Sequence, residues 1–262
     1  DAVRVPGFQV APIEIDTIDE LQLIGNDPGY PLDGDYVLTQ DIDASATAGW
    51  NGGGGFDPIG DDSTPFTGTF DGQGFAVNNL TIARPTEDYV GLFGYVDGTG
   101  GAGTGEVSDL TVSGVVSGSH DVGGIVGYNR GTLRRCHADV PVTGLYDTGG
   151  LVGENTATIT DCGATGAITS TADPSGYSRA GGLIGWNQGL GTVTNCYAVG
   201  DVSGAETLGG LIGGSVGGTV SGCHATGDAV CTVQTGRYSA VGGLIGGNNG
   251  STEVLACCAT GD

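Results

Sequence analysis

The stretch Gly149–Gly153 reads GGLVG, and the repetition of this pentapeptide decides the fold. Copies or close variants begin at Val90, Gly123, Gly149, Gly181, Gly209 and Gly242. The last five copies are each followed by a segment built around cysteine: LRRCHA, ITDCGA, VTNCYA, VSGCHA and VLACCA. Self-similarity at a spacing of tens of residues is typical of a solenoid, because one unit cannot bury its apolar face alone. The sequence therefore predicts a stack of similar units.

The apolar pattern within a unit favours short strands over helices. In VTNCYA the apolar residues Val193, Cys196 and Ala198 are separated by steps of three and two. Two short strands joined by a bend would turn all three side chains inward, whereas one straight strand alternates strictly. No unit shows the spacing of an amphipathic helix. We therefore predict an all-β fold, a single-stranded right-handed parallel β-helix with one coil per repeat.

The pentapeptides, the cysteine segments and the continuation Gly200–Gly204 resemble the GLUG repeat. The upstream run Pro58–Ile82, PIGDDSTPFTGTFDGQGFAVNNLTI, resembles the segment that commonly precedes such repeats. Together these similarities cover about residues 17–262. The resemblance implies an extracellular or cell-surface protein, since the GLUG family includes secreted surface proteins and filamentous-haemagglutinin-like adhesins.

Composition limits the partners. The chain has 7 basic and 30 acidic residues, a formal net charge of −23, and its basic residues are all arginine. Such a surface repels nucleic acid and anionic membranes. No apolar run is long enough to span a bilayer, so we expect no membrane insertion. A chain that begins at Asp1 rather than Met is expected to have lost a secretion signal or to have been trimmed.

The chain divides into three predicted parts. Residues 1–15 read as an extended N-terminal arm, because apolar residues alternate with others and are interrupted by prolines. Residues 16–76 read as an N-terminal cap and irregular first coils. Within them Thr17 and Glu20 form a capping-box pattern that predicts a short helix over 16–26. Residues 77–262 read as the repeats.

The cysteine segments predict an interior ladder of small apolar groups. Its expected members are Leu80, Leu110, Cys136, Cys162, Cys196, Cys223 and Cys257. Because leucine occupies the first two rungs, we interpret the cysteines as buried hydrophobes. Disulfides between rungs remain the alternative, since the spacing of neighbouring strands lies within the range that a disulfide tolerates. Cys231 and Cys258 fall outside the ladder and are candidates for a disulfide or for reactive thiols.

Metal and catalytic signals are weak. Aspartates in the first coils are calcium candidates, although plain solvated acids are the alternative: Asp41, Asp43, Asp57, Asp61 and Asp62. No other cofactor is expected, and His224 with Cys258 supplies only two of the ligands that zinc needs. The chain carries no hydrolase motif, and its three histidines fall in different coils. We therefore expect that it is not an enzyme.

Two features suggest partners. The longer coils carry loop residues suited to contact a surface protein or a glycan: Tyr177, Arg179, Arg237 and Tyr238. The arm and the last coil could pair between copies and give a head-to-tail homopolymer through Val3, Val5, Phe8, Val10, Cys257 and Ala259.

The predicted function is that of a non-enzymatic structural or adhesive surface solenoid, with a subunit of a surface filament as the more specific form of this prediction. The alternative is a carbohydrate-binding or polysaccharide-cleaving β-helix. Aromatic side chains and two or more carboxylates gathered on one outer surface would favour the alternative, and an end-to-end contact through the terminal coils would favour the filament.

Overall fold

The computed structural model describes residues 11–99, 104–171, 178–204, 206–232 and 239–261. In these residues short parallel strands stack into three sheets, which we call A, B and C. The predicted parallel β-solenoid is therefore confirmed. A helix, α1 (Ile18–Leu23), and a 3₁₀ segment at Ser45–Gly53 precede the regular coils.

Sheet A has 13 strands: β1 (Ile13–Ile15), β2 (Asp35–Leu38), β4 (Thr69–Asp71), β6 (Phe93–Asp97), β7 (Glu106–Ser108), β10 (Val126–Arg130), β11 (Thr132–Arg134), β15 (Val152–Asn155), β16 (Thr158–Thr160), β20 (Ile184–Thr194), β24 (Ile212–Ser221), β28 (Ile245–Asn248) and β29 (Glu253–Leu255). Sheet B has 12: β3 (Ile42–Asp43), β5 (Ala76–Ala83), β8 (Thr111–Ser117), β12 (His137–Asp139), β13 (Val142–Gly144), β17 (Gly163–Ala164), β18 (Ile168–Ser170), β21 (Tyr197–Ala198), β22 (Val202–Gly204), β25 (His224–Ala225), β26 (Ala229–Cys231) and β30 (Cys258–Ala259). Sheet C has 5: β9 (Val122–Gly123), β14 (Asp147–Gly149), β19 (Arg179–Gly181), β23 (Thr207–Gly209) and β27 (Ala240–Gly242).

One coil passes through the three sheets in a fixed order. Strand β14 lies in sheet C, β15 and β16 follow in sheet A, and β17 and β18 follow in sheet B before the chain returns to sheet C as β19. Each strand then pairs in parallel with its counterpart in the next coil.

The pentapeptide forms the corner between sheets C and A. In GGLVG the side chain of Leu151 is completely buried in the core. The glycines are required because backbones touch at this corner. A Cβ on Gly149 would lie 2.1 Å from the carbonyl oxygen of Val152, and one on Gly153 would lie 2.3 Å from the carbonyl carbon of Asp121. No side chain fits at such distances, so the repeated glycines are a packing requirement.

The corner between sheets A and B uses a single residue in the left-handed conformation. The residue before each rung of the cysteine ladder has a φ of 51° to 63°: Asp109, Arg135, Asp161, Asn195, Gly222 and Ala256. One such residue interrupts the strict alternation of strand side chains. It explains why the apolar residues Val193, Cys196 and Ala198 all face inward with steps of three and two.

The cysteine ladder lies in register along the core. An alanine follows each of these ladder cysteines by two residues, and the alanines pair directly from coil to coil. Ala138 pairs with Ala164, Ala164 with Ala198, and Ala198 with Ala225. Leu110 and four cysteines of the ladder are no more than 1% exposed: Cys136, Cys162, Cys196 and Cys223. Neighbouring rungs interact directly, since the Cys136 amide donates a hydrogen bond to the Cys162 Sγ at 3.4 Å. Cys257, in the last coil, is half-buried.

The predicted position of Leu80 in this ladder is wrong. Leu80 pairs with Gly114, not with the rung of Leu110, and Ala76 pairs with Thr111. The residue below Leu110 is therefore Phe75. Asn79 has a φ of 62° and precedes Leu80, so it reproduces the local pattern of a rung. Strand β5 continues through Asn79 within sheet B, with a register shift between Val77 and Leu80. The pattern around Leu80 therefore lies further along sheet B than the rung of Leu110.

The N-terminal part is capped as the sequence predicts. The Glu20 amide donates to the Thr17 hydroxyl at 3.2 Å, and the Glu20 carboxylate accepts the Thr17 amide, which completes the capping box of α1. The extended arm needs a correction at its C-terminal end: β1 pairs with β2 of its own chain and forms the first strand of sheet A. The predicted assembly residues Val3, Val5, Phe8 and Val10 lie outside the described residues.

The composition of the core changes along the stack. Large aromatic side chains fill the first coils, where Phe93 packs against Phe66 and Phe70 with ring centroids 5.0 and 5.4 Å apart. Later coils are filled by valine, isoleucine, leucine, cysteine and alanine. Buried asparagines form a second ladder near the pentapeptide corner. The Asn129 amide donates to the Asn155 side-chain oxygen and the Asn155 amide to that of Asn187, each at 2.8 Å.

Candidate functional site: the corner strip

Two columns of polar and aromatic side chains flank the pentapeptide corner, and together we call them the corner strip. The first column lies on the sheet C side and consists of Tyr89, Asp121, Asp147 and Arg179. The last three stand two residues before their pentapeptides, and Tyr89 stands directly before Val90, which bridges to Val122. The second stands directly after each pentapeptide, in sheet A: Tyr95, Tyr128, Glu154 and Trp186. Pairing between coils places both columns in register.

Three carboxylates meet in the middle of the strip. Asp121, Asp147 and Glu154 each offer a carboxylate oxygen, and these oxygens lie within 4.8 Å of one another. Asp147 is only 4% exposed, while Asp121 and Glu154 are half-buried. Asp121 also has a φ of 51°, so the turn that positions its carboxyl group uses the left-handed conformation. The strip therefore concentrates negative charge in a poorly solvated place.

Burial and mutual repulsion shift the pKa values of these groups upward. Burial, followed by the charges of Asp147 and Glu154, raises the pKa of Asp121 to about 9. Burial raises the pKa of Asp147 to about 6, and Arg179 opposes the shift. Burial also raises the pKa of Glu154, against hydrogen bonds from Gln188 and Tyr128. At neutral pH the Asp121 carboxyl therefore keeps its proton, whereas Asp147 is mostly ionised.

A single guanidinium balances part of this charge. The Nε and a terminal nitrogen of Arg179 donate to the two carboxylate oxygens of Asp147 at 2.5 and 2.8 Å. The guanidinium carbon also lies 3.8 Å from the centroid of the Trp186 ring. This placement differs from the predicted one: Arg179 lies in β19 and not in a protruding loop, because the buried Asp147 holds it against the sheet. The other predicted loop residues, Tyr177, Arg237 and Tyr238, lie outside the described residues.

Tyrosines close the N-terminal end of the strip. The rings of Tyr95 and Tyr128 stack with centroids 4.7 Å apart, and Tyr89 meets both edge-on at 5.7 and 6.1 Å. A cleft of about 310 Å³ adjoins Tyr89 and is lined by Asp57, Asp61 and Asp88 among others. Asp88 accepts a hydrogen bond from His120 Nδ1 at 2.6 Å when the imidazole is protonated there.

The five calcium candidates do not form a cluster of three carboxylates in the described part of the chain, where Asp121, Asp147 and Glu154 are the one such group. Asp61 instead accepts hydrogen bonds from Ser63 and Thr64 in its own turn, and Asp43 accepts from Ser45 and Asn79. Asp57 pairs with Arg84 at 3.1 Å, and Asp41 accepts the Ala76 amide. Asp62 is exposed beside Asp61. These contacts lie in separate places, so closeness in sequence does not bring the five carboxylates together.

The carboxylate oxygens of Asp121, Asp147 and Glu154 lie close enough together to hold one cation. Without a cation, the same proximity favours a shared proton.

The cysteines are thiols throughout the described structure. Cys231 lies in β26 and Cys258 in β30, and these strands pair with β22 and β25, so the two do not adjoin through strand pairing. Cys258 is exposed and pairs in register with His224, as the sequence predicts. The His224 ring in turn stacks on Tyr197 at 5.6 Å.

The corner strip was not predicted, although the sequence contains a pattern that points to it. Chemically active residues occur at the same two offsets from three successive pentapeptides, Asp121 with Tyr128, Asp147 with Glu154, and Arg179 with Trp186. Comparing acids only along single columns hides the cluster, because Glu154 belongs to a different strand from Asp121 and Asp147.

Fold and repeats together define the class of protein, a parallel β-solenoid built from pentapeptide-cornered coils. The GLUG motif matches residues 144–169 and 176–203, so the resemblance seen in the sequence is confirmed. Each matched segment contains one residue from each column of the corner strip, Asp147 and Glu154 in the first and Arg179 and Trp186 in the second.

Among curated relatives, halomucin of Haloquadratum walsbyi is 42% identical over 134 residues, which is 49% of this chain and 1% of halomucin. A protein of Evansella cellulosilytica named as a Gly-rich membrane protein is 33% identical over 109 residues, which is 40% of this chain and 12% of that protein. The chain thus corresponds to a small part of each relative's length.

Among solved structures, a Bacteroides ovatus protein named as an immunoglobulin A1 protease superposes with a TM-score of 0.64 at 17% identity, over 97% of this chain and 86% of that one. At this identity the likeness concerns the fold alone, and it supports the solenoid. Within the described residues, no helix is both long and apolar enough to cross a membrane.

Proposed function

We propose that this chain is a structural and adhesive element of an extracellular surface protein and that it has no enzymatic activity. The observation that supports this most is the unbroken parallel stack, in which sheet A alone runs from β1 to β29. A solenoid of this kind gives a stiff spacer that lengthens by adding coils. The relation to very large proteins and the acidic, lysine-free composition agree with a solvated surface role.

The same stack supports head-to-tail association. In the described residues β1 pairs with β2 alone, and β29 pairs with β24 alone, so each of these strands has an edge that no described strand covers. Val254 and Leu255 on β29 are 40% and 47% exposed, and Ala259 on β30 is exposed. A free, apolar parallel edge accepts another strand by β-augmentation. The proposed partner is another copy of the chain.

Charged substitution at this edge tests the association. Val254→Lys should reduce the average mass of the protein at high concentration, because a lysine on an edge strand opposes strand addition. The matched control is Val115→Lys, since Val115 is 48% exposed but lies in β8, which is paired on both sides. Light scattering after size-exclusion chromatography measures the mass. A wild-type chain that remains monomeric at every concentration would contradict the proposal.

A second candidate function, binding or cleavage of a polysaccharide, is favoured by the corner strip. Cleavage of a glycosidic bond commonly uses two carboxyl groups whose environments separate their pKa values, and Asp121 and Asp147 have this property. Incubation with a panel of neutral polysaccharides, followed by measurement of new reducing ends, tests this candidate. Cleavage lost in Asp121→Asn but retained in Asp61→Asn would establish it. No cleavage and no binding by the wild-type chain would eliminate it.

A further inference from the structure

Two tripeptides in the chain have the pattern Asn-X-Ser/Thr, in which X is not proline. They are Asn79-Leu80-Thr81 and Asn249-Gly250-Ser251. In exported proteins this pattern is the acceptor for an oligosaccharide on the asparagine side chain. Both asparagines are exposed, but the structure holds them very differently, so it separates an acceptor in a loop from one that is engaged in a paired strand.

The second tripeptide is fully presented to solvent. Asn249, Gly250 and Ser251 are all exposed and lie in the loop between β28 and β29. The Asn249 backbone is held, since its amide donates to the Ser215 carbonyl at 3.0 Å. In the described part of the chain its side-chain amide has no hydrogen-bond partner, and neither does the Ser251 hydroxyl. Nothing therefore has to be broken for a transferase to reach the acceptor nitrogen.

The first tripeptide is tied into the fold. The Asn79 side-chain nitrogen donates to Asp43 at 3.0 Å. Asn79 lies in the middle of β5, which pairs with β3 on one side and β8 on the other. Thr81 is fixed by its own backbone, whose amide donates to the Thr47 hydroxyl at 2.9 Å and whose carbonyl accepts the Phe56 amide at 2.8 Å. In the folded chain the nitrogen is engaged and the strand cannot detach to enter an active site.

We propose that Asn249, and not Asn79, carries an N-linked oligosaccharide. The proposal rests on the extracellular location proposed above, because the donor is a lipid-linked oligosaccharide on the outer side of the membrane. In the transfer, the Asn249 nitrogen forms a bond to the anomeric carbon of the sugar and loses one proton. The bond from that carbon to the lipid phosphate breaks, and the phosphate leaves with the electron pair and the lipid. The nitrogen remains an amide, and no oxidant or reductant takes part.

The position of Asn249 gives the modification a physical consequence. The loop is next to β29, the strand with exposed Val254 and Leu255. A flexible, strongly hydrated chain attached here would lie beside this edge strand, so the modified chain should add another copy less readily than the unmodified chain. Asn79 offers no such position, because its side chain is hydrogen-bonded to Asp43 and β5 has paired strands on both sides.

Peptide mapping by mass spectrometry of the protein isolated from the cells that produce it tests the inference. The peptide with Asn249 should carry a hexose- or hexosamine-containing mass, and the peptide with Asn79 should be unmodified. Ser251→Ala should remove the added mass while Asn249 stays in place. Ser251→Thr, which restores a hydroxyl, should retain it. Because all of these residues are in exposed positions of one loop, circular dichroism should be the same for each variant and the wild type.

Several outcomes would overturn the inference. Asn249 found only as asparagine or as its deamidation product, in protein recovered from the medium or cell envelope, overturns it and leaves the extracellular proposal intact. Recovery of the protein only from the cytosol overturns both. Equal modification of Asn79 and Asn249 overturns the argument from accessibility.

Discussion

At the scale of single residues, repulsion between poorly solvated carboxyl groups is concentrated in the corner strip. Three carboxyl groups share one guanidinium, so at least one of them must hold a proton at neutral pH. By contrast, the pair of Arg135 and Asp109 at a corner of the coil is much more exposed to solvent. Residues of the strip should therefore dominate both the pH dependence of stability and the cost of removing a charge.

The stability of the chain should fall as the pH rises through the strip's pKa values. Asp147 and Asp121 have folded pKa values of about 6 and about 9, and an unfolded aspartate titrates at about 3.9. The folded chain thus binds protons that the unfolded chain releases, and this contribution is complete below about pH 4 and is lost as the pH passes 6 and then 9. Asp121→Asn mimics the protonated acid, so its melting temperature should decline less than that of the wild type between about pH 4 and about pH 9. A wild type and variant with parallel profiles from pH 7 to 10 would show that Asp121 does not titrate there.

Removal of the Arg179 side chain should be costly at neutral pH and much less so in acid. Arg179→Ala leaves Asp147 buried without its partner, which costs about 3 kcal/mol when the carboxylate is charged. At pH 4 the carboxyl is protonated, and mainly the contact with Trp186 is lost, about 1 kcal/mol. Denaturant titration at both pH values measures the difference. Arg135→Ala is the control, because that side chain is 49% exposed and its loss should destabilise the chain much less at either pH. Equal effects of the two substitutions would contradict the account.

At the scale of the structural element, the two corners of the coil differ in how well they can be predicted from the sequence. The pentapeptide corner could be located from sequence because its glycines have a steric reason that applies in every coil. The left-handed corner could be inferred only as a bend, because Asp, Arg, Asn, Gly and Ala all occupy it. Leu80 was misplaced for this reason: Asn79 has the same conformation as a corner residue, but β5 continues past it. Local pattern determines local conformation, whereas the sheet position of a residue depends on its pairing.

The thiols should react in the order of their exposure. Cys136, Cys162, Cys196 and Cys223 are buried in the ladder, and contact with the neighbouring thiol raises the pKa of Cys196 to about 12. Because the thiolate is the reactive form, these four should resist a disulfide reagent until the chain unfolds. Cys258 is exposed and should react first. Counting thiols before and after denaturation gives the result. A disulfide mapped to Cys136, Cys162, Cys196 or Cys223 in the denatured, unreduced chain would contradict the ladder of free rungs.

Glycine should have opposite effects at two alanines of the last coil. Ala256 has a φ of 51°, a conformation that costs an L-residue about 1–2 kcal/mol. Ala256→Gly should stabilise the last coil by about 0.5–1 kcal/mol after the entropic cost of glycine is subtracted. Ala259→Gly, in the extended strand β30, should destabilise it by a similar amount. Hydrogen exchange of the amides in β29 and β30 detects both changes, and slower exchange in Ala259→Gly than in Ala256→Gly would contradict the assigned conformations.

At the scale of the whole molecule, much of the architecture could be predicted because each coil repeats the same requirements. Sequence patterns identified the solenoid, the capping helix and the inward cysteines. The corner strip could not be predicted with the same means, since its members come from different strands and meet only after the corner closes. Arg179 illustrates the limit: its place in a long coil suggested a loop, but pairing with the buried Asp147 determines where it lies. The repeats are therefore enough to predict the solenoid, whereas the positions of side chains that differ from coil to coil become known only from the three-dimensional structure.

The central claim is that successive coils stack along one axis in register, and distances between spin labels test it most directly. One label is attached to the exposed Cys258. The second is attached to a cysteine that replaces His224, Tyr197, His137 or Thr111. These positions and Gly163 form one column, because each pairs in register with the next. The account predicts that the mean distance grows with each coil by about 4.8 Å, to about 24 Å for Thr111. A distance that fails to increase in this order would contradict the stack.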